Sequence, residues 1–316
     1  RKKYLFSLAY LLLLLVVLAI ETFFWLKKTG YFYHEPKYKV NLFSNYQVAT
    51  NNEIIPTDFL DQVSAEAFFV IDNTTQTILL EKNPQLPLAP ASTTKLMTVY
   101  TALKNYDLNE IVPVSTVAAL ENDGGGLYPL EKVKVKDLAA ASLVSSANDA
   151  AYALADYFSA GYDQFIRQMN QESKNLHLIS TSFSNPVGYD HPDNVSTAHD
   201  LAILTMRVFK EKPIAEWMSL KNYVVENQDL TMRHFLFSTN ELLGGEEGVI
   251  AGKTGTTPLA KEVLISIAQV NDHQYIIVVM GSEDRYQDTK IIIEWLKTNI
   301  EWQKVEFPLQ IQQKTL

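Results

Sequence analysis

Strand-like segments stand at both ends of the body of this chain, and helical ones fill the middle. AEAFFVIDNTTQTILLEKN is apolar and β-rich on either side of DNTTQ, which predicts a hairpin over about 66–81. The same composition returns only much later, in GVIAGKTGT, then in KEVLISIAQV and QYIIVVMGS around the polar VNDHQ. Between these ends, STTKLMTVYTALKN, two alanine-rich runs interrupted near Ser145-Ser146, YDQFIRQMNQESKNLH and TAHDLAILTMRVFKEK all read as helices. TKIIIEWLKTNIEW closes the body as a further helix. Such an order predicts an α/β lobe assembled from sequence-distant pieces, with a helical lobe inserted at about 105–235. The junction of two lobes is a natural cleft.

The composition narrows the chemistry. The 316 residues are 47% hydrophobic and 20% charged, with a formal charge of −9 from 27 basic and 36 acidic side chains. General nucleic-acid binding needs concentrated Lys and Arg to neutralise phosphate, and this balance argues against it. With no cysteine, disulfides, Cys-ligated zinc, iron–sulfur clusters and thiol catalysis are all excluded.

Three short motifs carry candidate chemistry. In PASTTKLM, Ser92 and Lys95 lie three apart behind Pro90, on one face of a helix. A serine hydroxyl becomes a nucleophile when a neighbouring base takes its proton, and a lysine serves if burial or positive charge favours its neutral form. The plainer reading is that Ser92 caps the helix and Lys95 is solvated. In SSAND, Ser146 and Asn148 straddle one residue at a break between helices, where a hydroxyl can relay a proton and an amide can hold a substrate carbonyl. The alternative is a polar loop with Asn148 as a helix cap. In GKTGT, Lys253 and Gly255 share one face of a late strand and Thr254 and Thr256 the other. Gly255 lets a bound substrate approach the backbone, Lys253 supplies positive charge, and Thr256 offers a hydroxyl to a carboxylate; a plain strand end competes with this. GKTGT is not a phosphate loop, because position 247 is Glu.

Ser-x-x-Lys, Ser-x-Asn and Lys-Thr-Gly in this order form the signature set of penicillin-binding proteins and serine β-lactamases. Over roughly residues 64–300 the chain resembles the serine-type D-alanyl-D-alanine carboxypeptidases of low molecular weight, the peptidase S11 family. LVSSANDAAYALAD, FSNPVGYDHPDNVSTAHDLA and GVIAGKTGTT carry the likeness beyond the bare motifs. The resemblance implies a two-lobed penicillin-binding and serine β-lactamase-like α/β fold, with an antiparallel sheet flanked by helices and an all-helical insert. It implies that Ser92 is acylated and that Lys95 takes its proton. It further implies that Ser146 and Asn148 shuttle a proton and orient the peptide, and that Lys253 supports the electrostatics. Thr254, Gly255 and Thr256 would line the substrate, and the backbone N–H groups of Ser92 and Thr256 would form the oxyanion hole. The implied partners are peptidoglycan stem peptides and, as covalent inhibitors, β-lactams; no metal or cofactor is implied.

The chain departs from the family at Thr256-Thr257, at Ala260-Lys261 and at Tyr189, where leucine is common. A D,D-endopeptidase would use the same serine chemistry. A class A β-lactamase would need a deacylating glutamate, and LHLISTSFSNPVGYD has none. A silent peptidoglycan-binding protein of this fold and a metal hydrolase using Asp190, His191, Asp193, His199 and Asp200 are further alternatives; turns and a helix cap explain the latter set equally well. Gly124-Gly125-Gly126 reads as a flexible loop near the cleft, beside Tyr128.

Residues 4–26 are 23 positions with one charge, Glu21, enough for the roughly 20 residues a membrane-crossing helix needs. ETFFWLKK offers no small-residue cleavage site, so residues 1–28 are expected to be an uncleaved transmembrane anchor rather than a signal peptide. Residues 29–63 then form a membrane-proximal linker and 64–316 the catalytic domain. These expectations place the protein in the bacterial cell membrane, single-pass, with the catalytic domain on the extracytoplasmic side.

Overall fold

The computed structural model describes residues 46–50 and 57–304. The chain divides into two compact units, residues 50–301 and a second made of residues 1–49 and 302–316. Of the second unit the described residues are 46–49 and 302–304, parts of the paired strands Tyr46–Thr50 (β1) and Ile300–Lys304 (β11).

The larger unit is built on a five-stranded antiparallel sheet. Its strands are Ala67–Asp72 (β2), Ile78–Lys82 (β3), Val249–Thr257 (β8), Lys261–Val270 (β9) and His273–Ser282 (β10), in spatial order β3-β2-β10-β9-β8. The hairpin read from DNTTQ is β2–β3, and β10 joins it to the late strands with Val278 opposite Phe69. Every residue of β2 is buried, as expected of a strand covered on both faces. Phe69, Ile71, Ile265, Ile267, Ile276 and Val278 join the main core with the helices of the middle segment. The alternate residues Phe68, Val70, Leu264, Ile277 and Val279 are equally buried on the other face, where the terminal helix Arg285–Asn299 packs on β9 and β10.

The middle segment supplies Lys95–Asn105, Val135–Val144, Asn148–Asp156, Tyr162–Asn175 and Ala198–Val208. Helix Lys95–Asn105 packs against the other four, so its first residues are sealed from water: Lys95 through Ala102 are all buried. Alanines at 139–141, 150, 151, 153 and 155 let the two helices flanking Ser146 approach closely. Two short ladders, Ile111–Pro113 (β4) with Lys132–Lys134 (β5) and Asn222–Glu226 (β6) with Arg233–Phe237 (β7), lie in the same stretch. The three-residue strands β4 and β5 are too short for period-two patterning to announce them, and β6 and most of β7 fall inside the stretch expected to be helical.

The start of the terminal helix is pinned by one carboxylate. Asp288 accepts hydrogen bonds from Ser64 N (2.8 Å), Ser64 Oγ (2.8 Å), Ala65 N (2.9 Å) and Ser282 Oγ (2.5 Å), and is 2% exposed. Asp288→Ala orphans buried donors, each costing about 1–3 kcal/mol. A loss of about 3 kcal/mol in urea unfolding is therefore expected for this variant, whereas Asp284→Ala removes only a surface cap and costs about 1 kcal/mol.

The membrane assignment is corrected. Among the described residues no helix is long and apolar enough to cross a membrane. The expected anchor over residues 1–28 lies outside the described residues, so the single-pass extracytoplasmic placement is withdrawn.

Candidate active site

Pro90 turns the chain into a 3₁₀ helix, Ala91–Thr94, before the α-helix begins at Lys95. Ala91 sits at φ +48°, and Thr93 Oγ1 returns to the Pro90 carbonyl at 2.6 Å. Neither helix start uses a side-chain cap, so Ser92 is not a capping residue. Its hydroxyl lies instead at the wall of a cleft of about 400 Å³.

The tight first turn brings Lys95 Nζ to 2.8 Å from Ser92 Oγ; the same amine donates to the Val187 carbonyl at 2.7 Å. Lys95 is wholly buried rather than solvated. Burial in a low-dielectric interior disfavours the ammonium and lowers its pKa to about 7, against the opposing pull of Asp123, Asp149 and Glu121.

Ser146 and Lys253 enter from two further elements. Ser146, at φ +63° between the two alanine-rich helices, accepts from Lys253 Nζ at 2.8 Å, and that amine also donates to the Thr254 carbonyl at 2.8 Å. Lys253 is buried too, and its pKa is pushed well below the ordinary lysine value, first by burial and then by Lys95 and Arg285. Two buried amines facing one site cannot both hold a proton cheaply.

Asn148 is the first residue of its helix and not its cap, which is Ala147. Its amide nitrogen donates to the Asn122 carbonyl (2.8 Å) and the Tyr189 hydroxyl (3.4 Å) rather than to Lys95. The three glycines at 124–126 belong to a bound loop: Asp149 accepts from Gly125 N at 2.7 Å and from Leu127 N at 3.0 Å. A Cβ on Gly124 would lie 2.6 Å from the Asp149 carboxyl carbon.

Strand β8 is the sheet edge, which leaves alternate backbone groups facing away from β9. Gly255 lines the cleft and also has a packing role. A Cβ there would stand 2.9 Å from Ala91 Cβ and from Ser92 N, so its absence lets the edge strand pack on the nucleophile turn. Thr254 is buried, with its hydroxyl on that of Thr239, whereas Thr256 is exposed at the cleft. The structure thus brings Ser92, Lys95, Ser146, Asn148, Lys253, Thr254, Gly255 and Thr256 together around one cleft.

Sequence reasoning missed Arg285. Its Nη1 donates to the Gly255 carbonyl (2.8 Å) and to Thr256 Oγ1 (2.7 Å), adding a guanidinium to the cleft. A cation in the first turn of a helix opposes the helix dipole, and that is the local signal that would have marked it. Of the acid and histidine set, Asp190 accepts from Thr257 Oγ1 (2.5 Å) and Leu259 N (3.0 Å), while Asp200 accepts from Ser180 N and Thr181 Oγ1. Among the described residues no group of three or more His, Asp and Glu could hold a metal ion.

The same layering recurs in the solved DD-transpeptidase of Streptomyces K15, with a TM-score of 0.69 at 28% identity over 74% of this chain and 97% of that one. The fold is therefore that of the penicillin-binding class. Within that class, a model of the D-alanyl-D-alanine carboxypeptidase family matches residues 51–284, and the chain belongs to this family, peptidase S11. It is 33% identical to the D-alanyl-D-alanine carboxypeptidase DacF of Bacillus subtilis over 239 residues, 72% of this chain, and spans 61% of that relative's length. It is 26% identical to a D-alanyl-D-alanine endopeptidase of Escherichia coli, covering 83% of this chain and 90% of the relative.

Proposed function

We propose that the chain is a serine D,D-carboxypeptidase that removes the terminal D-alanine from peptidoglycan stem pentapeptides through an acyl-enzyme on Ser92. The observation that carries this reading is the 2.8 Å contact between Ser92 Oγ and a buried Lys95 amine whose pKa lies at about 7. An amine neutral near physiological pH is the base that a serine nucleophile needs.

In this mechanism Lys95 takes the Ser92 proton as Oγ attacks the carbonyl between the two D-alanines. Charge on the tetrahedral oxygen meets the backbone N–H groups of Ser92 and Thr256, donors that gain most in the transition state. The carbon–nitrogen bond breaks, and the leaving amine receives a proton passed through Ser146. Lys253 keeps the field positive, Asn148 holds the peptide, and Thr254, Gly255 and Thr256 line it. Thr256 and Arg285 face the substrate carboxylate, a pairing favoured by the guanidinium's forked donors. Water then adds to the ester and frees Ser92. Penicillins acylate the same oxygen, because their lactam carbonyl enters the same site. The catalytic domain in this reading starts near residue 64 and carries its helical lobe at about 105–235.

A D,D-endopeptidase acting on cross-linked stems is the second reading, favoured by the fuller coverage of the relative bearing that name. Incubation with a free pentapeptide ending in D-Ala-D-Ala and with a cross-linked muropeptide separates the two. Release of D-alanine from the pentapeptide supports the carboxypeptidase, and cleavage of the cross-link alone supports the endopeptidase. If neither substrate is cut, both readings fall.

A further inference from the structure

We infer that Asp123 is a specificity-determining residue whose carboxylate receives a positively charged side chain on the acyl part of the substrate, the part that stays on Ser92 when the terminal residue leaves. The inference rests on the proposed acyl transfer at Ser92 and names a substrate class for it.

Two residues of the cleft wall carry a full charge at neutral pH, Asp123 and Arg285. They come from different layers of the fold. Arg285 begins the terminal helix, and its guanidinium is bonded to the Gly255 carbonyl and to Thr256 Oγ1 of the edge strand. Asp123 belongs to the helical middle segment, immediately before the three glycines. Its loop is tied to Asn148, whose backbone N–H donates to the Asp123 carbonyl (3.2 Å) and whose side-chain amide donates to the Asn122 carbonyl (2.8 Å). In the proposed mechanism the terminal carboxylate faces Thr256 and Arg285, and Asn148 holds the peptide. The acyl part then passes beside the loop that Asn148 anchors.

At Asp123 the backbone is held and the carboxylate is left over. Asn148 binds the chain at residues 122 and 123, and Asp149 accepts from Gly125 N at 2.7 Å on the following side. Among the described residues the Asp123 side chain makes no hydrogen bond and no ion pair, so it has no part in fixing the loop. The neighbouring carboxylate, Glu121, is committed to the Tyr189 hydroxyl at 2.5 Å. Asp123 is exposed at the cleft, and an ionised carboxylate can only accept hydrogen bonds. Its complement is an ammonium or guanidinium group. A neutral side chain gains nothing from it, and an acidic one is repelled. The discrimination is by sign of charge, and it is modest because the pair stays in contact with water.

The test compares D-alanine release from two synthetic peptides ending in D-Ala-D-Ala. They differ only in a lysine before the two D-alanines, with its ε-amine free in one and acetylated in the other. At low salt the wild-type kcat/KM should be about fivefold higher for the free amine, and high salt should erase most of that preference. Asp123→Asn keeps a residue that tolerates the left-handed backbone at φ +53° and should bring the ratio to about one. The ratio isolates the contact. Asp123 also raises the Lys95 pKa through its charge, but losing that influence changes both peptides alike and cancels. Equal kcat/KM for the two peptides in the wild type, or a fivefold preference that survives in Asp123→Asn, would overturn the inference. Release of D-alanine from neither peptide would sink the carboxypeptidase reading itself, and this inference with it.

Discussion

Ser92→Ala should take no covalent penicillin, and Lys95→Met should be acylated about 10³-fold more slowly than the wild type, the scale of a lost general base. The methionine keeps an apolar stem of similar length in a site that is fully buried, so the variant tests the amine and not the packing. What is lost is the acceptor 2.8 Å from Ser92 Oγ. The wild type carries a signature of the same group. In the folded protein the Lys95 amine holds its proton only up to about 7, against 10.5 for an ordinary lysine. Below pH 7 the fraction of neutral amine falls tenfold per unit, so the acylation rate should fall with it, and above about 7 it should level off. Stopped-flow labelling from pH 5.5 to 8.5 reads this directly. A flat profile in the wild type, or a profile unchanged by Lys95→Met, would remove the lysine from its role as base.

Gly188→Ala should cost about 3 kcal/mol or more and cut acylation by about 10²-fold, although residue 188 touches no reacting atom. Gly188 has φ +97°, and a Cβ there would lie 1.9 Å from the Ala91 carbonyl oxygen and 2.9 Å from Ser92 N. Those atoms are backbone and cannot swing aside as a side chain can. Either the 185–190 loop or the nucleophile turn must move. If the loop moves, the Val187 carbonyl that holds Lys95 Nζ moves with it. Gly161→Ala is the matched control: its φ is +88°, yet nothing stands within 4 Å of the added carbon. It bears the backbone strain alone, about 1–3 kcal/mol, with acylation unchanged. Thermal melts together with labelling rates separate the two variants; equal losses at 161 and 188 would show that contact with the nucleophile turn is irrelevant.

Much of the site was legible because its parts are local. Ser92 and Lys95 are one helical turn apart, Ser146 and Asn148 flank one residue, and Lys253 to Thr256 are consecutive. Spacing on a known element decides which side chains share a face. Gly255 shows the limit. As a glycine in a strand it signalled a close approach, but spacing did not reveal that Ala91 and Ser92 of this chain are what its missing Cβ would meet. The glycine run at 124–126 likewise read as a flexible loop, and only the buried Asp149 carboxylate shows why its backbone is held.

Local spacing in the chain therefore determined the order of elements, the hairpin at its start, the edge-strand character of GKTGT and the identity of the three motifs. Folding alone decided that Lys95 would be dry, because that depends on four other helices closing over it. It also decided that Val187, Arg285 and Tyr189 would reach the same cleft. No periodicity relates residues so far apart in sequence, and their meeting depends on how the sheet and the helices pack.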